Sequence, residues 1–286
     1  MAVRMARPSS VLCPSCGTLV GVKDAQCLTC GRRYPGMFGF AHLLRNLGDD
    51  MGFTTIVMFA CGALFLATLA ASGQGVSTSG ILSFLSPSMP SLLRFGASGA
   101  APVFGFGRWW TVLSAAWLHG GILHILFNMM AVRNIAPAVA HLYGPGRTVI
   151  IYTVASATGF LLSSAVGAAA ILGYLPGFLG GAGVTLGASA SIMGLVGALW
   201  YYGRRGGSSF ISQQAKGIVV SIALMGFILP GIDNWAHLGG LAGGYAVSIL
   251  LDPLRPERGD HVLLAMGCLL ASLAAVVASV VLPLRG

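Results

Sequence analysis

Three short groups of polar residues in this chain are of types that could do chemistry together. His119, His124 and Asn128 form one; Ser189 lies near the head of the apolar stretch LGASASIMGLVG, residues 186–197; Asp233, Asn234 and His237 sit at the start of another apolar stretch. A serine hydroxyl attacks a carbonyl only when a neighbouring base takes its proton, and histidine, which titrates near neutral pH, is the natural base. His237 is therefore paired with Ser189. His124 and Asn128 are four residues apart, hence on one face of a helix, and two converging donors could stabilise the oxyanion that develops on an attacked carbonyl. No acid offers itself as a third member: from Asp50 to Asp233 the chain contains neither Asp nor Glu, and Asp233 stands four residues before His237. A Ser–His dyad is the economical reading.

A second group belongs to metal chemistry. Cys13, Cys16, Cys27 and Cys30 form two CxxC knuckles, each followed by a glycine, Gly17 and Gly31. Four thiolates at that spacing suit tetrahedral closure on one structural Zn2+, and glycine permits the tight turn in each knuckle. Two disulfides or a redox CxxC are the alternatives; a cytoplasmic location disfavours the first, and no βαβ pattern surrounds either pair. Cys61 and Cys268 sit inside apolar runs and read as packing residues.

The elements that position these groups follow from composition. Of 286 residues, 56% are hydrophobic and only 8% charged, and mean hydropathy is +0.84, which describes a polytopic, all-α membrane protein rather than a soluble globule. An α/β-hydrolase, whose nucleophile elbow needs a soluble sheet, is excluded. The net charge of +9 reads as loop bias in a membrane protein, so no nucleic-acid partner is expected. Apolar segments of about the 20 residues that a bilayer requires fall at 53–72, 119–138, 148–170, 186–203, 216–231, 235–252 and 261–283, with no cleavable signal expected before them. The long loop 73–118 carries Phe104, Phe106, Trp109, Trp110 and Trp117, and is expected to lie partly in the membrane.

Lys and Arg decide the orientation. Thirteen fall on one side (Arg4, Arg7, Lys23, Arg32, Arg33, Arg45, Arg133, Arg147, Arg204, Arg205, Lys216, Arg255, Arg258) and three on the other (Arg94, Arg108, Arg285), which places the N-terminus in the cytoplasm. The expected division is a cytoplasmic segment 1–50, a six-span core 51–252, and a loop with a seventh span, 253–286. A surface-lying last helix is the weaker alternative, because 261–283 is apolar on every face. In this arrangement the second, fourth and sixth spans all begin at the outer face, so His124 and Asn128, Ser189, and His237 share one layer. Polar groups there are costly and point to function. Gly187, Gly194 and Gly197 in one span and Gly239, Gly240, Gly243 and Gly244 in another would let two backbones approach closely, although generic small-residue packing accounts for them equally.

His119-x4-His124-x3-Asn128, Gly187-Ala188-Ser189-Ala190 and Ala236-His237-x2-Gly240-x3-Gly244, in that order on alternate spans, resemble the rhomboid family of intramembrane serine proteases over roughly 105–250. The resemblance implies Ser189 as nucleophile and His237 as general base. It implies an oxyanion site built from His124, Asn128 and the Ser189 backbone N–H, with His119 bracing the loop before the second span. The implied partners are transmembrane protein substrates and the lipid bilayer, with no cofactor for catalysis; the zinc segment would be structural or recruit a cytoplasmic partner. Four positions depart from the family pattern: Thr111 follows Trp110 where an arginine is common, with Arg108 displaced; Ala140 stands where a glutamate is often found; and Ala190 and Met193 replace a glycine and an aromatic. The rival reading is a non-catalytic membrane protein, either a transporter, which would be expected to show inverted repeats, or a pseudoprotease that retains clients, which would usually lack the serine or the histidine.

Overall fold

The computed structural model describes residues 10–13, 15–35, 50–80, 83–229 and 231–283. Arg4, Arg7, Arg45 and Arg285 of the charge count lie outside the described residues. In chain order the elements are β1 (Ser10–Leu12), β2 (Leu19–Gly21), α1 (Phe53–Ser72), α2 (Met89–Phe95), α3 (Thr111–Ser114), α4 (Ile122–Tyr143), α5 (Pro145–Ile171), α6 (Ser189–Arg205), α7 (Ser209–Ile228), α8 (Asn234–Leu250) and α9 (Gly259–Val281). The protein is an all-α polytopic membrane protein. Among the described residues α1, α4, α5, α7 and α9 are long and apolar enough to cross a bilayer, while α6 and α8, at 17 residues each, are packed among the others.

Polar residues set where several of these helices begin. The Asp50 carboxylate accepts from the backbone N–H of Gly52 and Thr54 at 3.0 and 2.7 Å, capping α1. Ser88 and Asp233 cap α2 and α8 through Ser91 N and Ala236 N. Several spans differ from their sequence boundaries, three of them for a visible reason. The segment expected at 119–138 runs as a helix from Ile122 to Tyr143 straight through Pro137, because a proline costs a transmembrane helix one backbone bond that its neighbours can offset. The segment expected at 186–203 begins as a helix only at Ser189, after the turn made by Gly187. The segment expected at 216–231 starts at Ser209, where Ser208 Oγ accepts from Ile211 N at 3.4 Å; the polar first turn of α7 hides from a hydropathy reading.

At the centre, α5, α6 and α8 are in close contact, and the largest fully buried side chains include Tyr143, Tyr152, Phe160 and Leu195. Trp117 packs into the same core, while Trp109 and Phe104 remain exposed on the loop before α4. Exposed apolar side chains such as Phe59, Phe227 and Leu270 line the outer faces of α1, α7 and α9, the surface that a bilayer would cover. The last helix, α9, lies against α5 and also along α2 and α3.

One end of the bundle is fastened by Arg147. Its guanidinium donates to the carbonyls of Asp252, Arg255 and Pro256 at 3.3, 2.8 and 2.8 Å, and its Nε donates to His261 Nδ1 at 3.0 Å. Glu257 answers from the opposite side, accepting the Arg147 backbone N–H at 2.8 Å, so a carboxylate sits at the N-terminus of α5 as the helix dipole favours. Arg205 lies 3.5 Å from Asp252 at the same end.

Candidate active site

Ser189 is the first residue of α6, and the turn before it depends on Gly187, whose φ of +126° belongs to a region that side chains rarely adopt. The Gly187 N–H donates to Ala115 O at 2.9 Å, tying the turn to the loop ahead of α4. Backbone N–H groups in the first turn of a helix have no intrahelical acceptor, so that of Ser189 is free to serve another oxygen.

His237 lies in the first turn of α8 and is 8% exposed. Its Nε2 stands 2.8 Å from Ser189 Oγ. Its Nδ1 has no hydrogen-bonding partner among the described residues. Asp233, the nearest acid in sequence, is engaged elsewhere: one oxygen accepts from Ala236 N at 3.0 Å and the other from the Ser163 hydroxyl at 2.6 Å. Ser163 in turn accepts from Ala182 N at 3.2 Å, so Asp233 fixes α8 to α5 and to the loop before Ser189. It does not orient the imidazole.

The approach of α6 to α8 is made by glycine. A Cβ on Gly240 would collide with the Ala190 carbonyl, and one on Gly244 would collide with Gly194. With no side chains between them the two backbones come close enough for Ser189 and His237 to touch.

His124, partly buried in the first turn of α4, accepts from Gly120 N at its Nδ1 (3.3 Å), which leaves Nε2 as the nitrogen able to carry the proton. The space a Gly187 side chain would fill lies 2.6 Å from His124 Nε2 and 3.8 Å from Ser189 Oγ, so the missing Cβ leaves a slot between donor and hydroxyl. Asn128 is buried and donates one Nδ2 hydrogen to its own helix at His124 O (3.0 Å), keeping the second. His119 is fully buried, and neither of its ring nitrogens has a partner among the described residues. It packs edge-on against the His124 ring, with centroids 5.1 Å apart.

The Rhomboid domain family matches residues 106–253, just over half of the chain, with all of these groups inside the match. The chain belongs to the rhomboid family. It is 33% identical over 164 residues to the rhomboid protease GluP of Bacillus subtilis, across 56% of this chain and 29% of that protein. It is 29% identical over 183 residues to RHOMBOID-like protein 1 of Arabidopsis thaliana, across 61% of this chain and 42% of that one. RHOMBOID-like protein 7 of the same plant is 30% identical over 172 residues, across 58% and 50%. This rhomboid thus spans half or less of the length of these relatives.

In this rhomboid the N-terminal cysteines form a separate cluster. The β1–β2 hairpin pairs Val11 with Val20 and buries Cys13 and Cys27 beside them. Each knuckle closes in the same way: Gly17 N donates to Cys13 O and Gly31 N to Cys27 O, both at 2.9 Å, with φ of +74° and +72°. The four sulfurs lie within 4.8 Å of one another, with Cys13–Cys30 at 3.7 Å and Cys16–Cys27 at 3.6 Å. Such spacing matches the edges of a tetrahedron whose metal–sulfur bonds are about 2.3 Å, so the cluster could hold a metal ion. The Thr18 hydroxyl beside Cys16 favours the thiolate and lowers that thiol to about 6, which suits a ligand.

Several contacts around the dyad carry no sequence signal. Ala115 O, Ser163 and the Gly120 carbonyl, which accepts from the Ser86 hydroxyl, act through backbone or through common serines. Asp233 was detectable as an N-cap, an acid directly ahead of an apolar run. Arg108, displaced from the expected position, is 2% exposed and donates to the carbonyls of Leu93 (2.7 Å) and Ser279.

Proposed function

We propose that this chain is an intramembrane serine endopeptidase that cleaves transmembrane segments of other membrane proteins near their outer ends. The observation that carries the reading is the 2.8 Å contact between Ser189 Oγ and His237 Nε2 inside a membrane-embedded helix bundle. Ser189 Oγ attacks the scissile carbonyl as His237 Nε2 takes its proton. Negative charge then gathers on the carbonyl oxygen, where His124 Nε2–H, the free Asn128 Nδ2–H and the Ser189 N–H donate to it. His237 returns the proton to the departing amine, leaving an acyl-enzyme on Ser189, and a water activated by the same imidazole releases the acid. A substrate helix must unwind locally before its amide can be attacked, so helix-breaking residues near the cut favour cleavage.

Cys13, Cys16, Cys27 and Cys30 would hold one structural Zn2+, which stabilises the hairpin and takes no part in the peptide chemistry. The loop charges support a cytoplasmic N-terminus with the dyad towards the outer face. On this reading 1–50 is a cytoplasmic segment able to engage a partner, 51–252 the protease core, and 253–286 the loop and seventh helix. The test is incubation of the purified protein with a panel of single-span substrates beside a Ser189→Ala control, together with fluorophosphonate labelling. Cleavage and labelling are expected in the wild type only, with Ser191, buried two residues further along α6, left unlabelled. Labelling that persists in Ser189→Ala would sink the assignment.

A further inference from the structure

We propose that α9 positions the nucleophile turn from outside the six-helix core, through a clamp in which Arg108 holds the C-terminal turn of α9 to the loop before α4. The inference rests on the dyad reading above.

Arg108 is buried in a stretch of chain that has no Asp or Glu from residue 51 to residue 232, so its charge is met by carbonyl oxygens. One is Leu93 O at 2.7 Å, in the last turn of α2; the other is Ser279 O, in the last turn of α9. Carbonyls at a helix C-terminus lack intrahelical donors, and the helix dipole makes that end attractive to a cation. For Ser279 the lack is built into the sequence: the residue four positions on is Pro283, which has no N–H. The guanidinium supplies the missing donor. Trp110 adds a second tie, its Nε1 donating to Ser279 Oγ at 3.1 Å while its ring lies 5.7 Å from Arg108 Cζ. Gly96, at φ +105°, leaves the room: a Cβ there would stand 2.6 Å from Ser279 Oγ.

From this clamp the route to Ser189 is short. Arg108 O accepts from Thr111 N and from the Thr111 hydroxyl, opening α3. Ser114, at the other end of α3, donates to Gly96 O at 2.8 Å, and the next carbonyl, Ala115 O, accepts the Gly187 N–H at 2.9 Å. Ser98 and Thr185 exchange a pair of backbone bonds at 2.9 and 2.8 Å on the same loop. The segment that α9 clamps is therefore the segment that holds the Gly187 turn directly, whereas His237 stands on α8, whose first turn Asp233 anchors to Ser163 of α5. Releasing the clamp lets Ser189 Oγ drift from His237 Nε2 without removing any group that touches substrate. Arg108 is in this sense a positioning residue.

The test compares Arg108→Met, Arg108→Lys and Pro283→Ala in the full chain, reconstituted in lipid. Arg108→Met removes the donor; Arg108→Lys keeps a cation at the two helix ends; Pro283→Ala restores a backbone N–H that competes for Ser279 O while leaving the core unaltered. Expected are faster amide exchange at 96–118 in Arg108→Met and Pro283→Ala, and slower fluorophosphonate labelling of Ser189. With them kcat should fall about 10- to 100-fold with KM changed by less than about twofold, the pattern of a misplaced nucleophile rather than of lost binding. Arg108→Lys should recover part of both readouts. Folded Arg108→Met and Pro283→Ala proteins with wild-type exchange and labelling would overturn the clamp. An unlabelled wild type would overturn the protease reading instead, and exchange at 96–118 alone would then decide whether α9 holds the loop.

Discussion

Gly187 combines three requirements at one residue: a positive φ, an N–H held by Ala115 O, and an empty slot between His124 Nε2 and Ser189 Oγ. Gly187→Ala should therefore abolish turnover and fluorophosphonate labelling and lower stability by at least about 1–3 kcal/mol, since the methyl would sit in strained backbone and press on the His124 ring; full activity in the purified variant would show that the slot is not used. Asn128 tests the oxyanion site separately. With His124 and the Ser189 N–H still present, Asn128→Ala should slow turnover towards or below the lower end of the ~10²–10³-fold loss seen when one oxyanion donor is removed. Normal turnover per folded molecule would reduce Asn128 to its bond with His124 O. The residues of the candidate site were legible because histidine, asparagine and serine are conspicuous among apolar helices. What holds them was not, since Ala115 and Gly120 act through carbonyls, which every residue carries, and Asp233 does its work through a serine 70 positions away.

Most of the long helices were legible to within a turn, because a bilayer demands long apolar runs and the chain has few charges to interrupt them. The polar opening turn of α7 and the passage of α4 through Pro137 were not, as one is set by a serine cap and the other by neighbouring helices. Nor did hydropathy foretell that the loop before α4 would break into α2, α3 and tight turns packed against α9. The α6–α8 interface is the element on which the dyad distance depends. Gly240→Ala places a methyl against the Ala190 carbonyl, and overpacking of this kind typically costs about 1–3 kcal/mol. A lowered thermal midpoint with labelling of Ser189 reduced beyond the unfolded fraction is expected. Unchanged labelling would mean that the helices can part without separating the dyad.

At the scale of the whole molecule, the cysteine hairpin and the helix bundle have separate cores, Val11, Val20 and two cysteines in one and the aromatic and aliphatic cluster around Tyr152 in the other. Metal analysis of the purified chain should give one zinc ion per molecule, lost in Cys13→Ser with Cys27→Ser. Deletion of residues 1–45 should leave cleavage of a single-span substrate intact; a dead core would show that the hairpin is part of the protease. The bundle is also fastened at both ends by arginines whose acceptors come from much later in the chain, Arg147 reaching His261 across 114 residues and Arg108 reaching Ser279 across 171. During synthesis Arg108 has Leu93 O but not Ser279 O, and Arg147 has Tyr143 O but not His261, until α9 has been made, and contacts of such sequence separation close late. If the clamp and the dyad act as proposed, the nucleophile turn is secured only after α9 has left the ribosome, so a nascent chain that already contains both Ser189 and His237 should cleave poorly until α9 has docked.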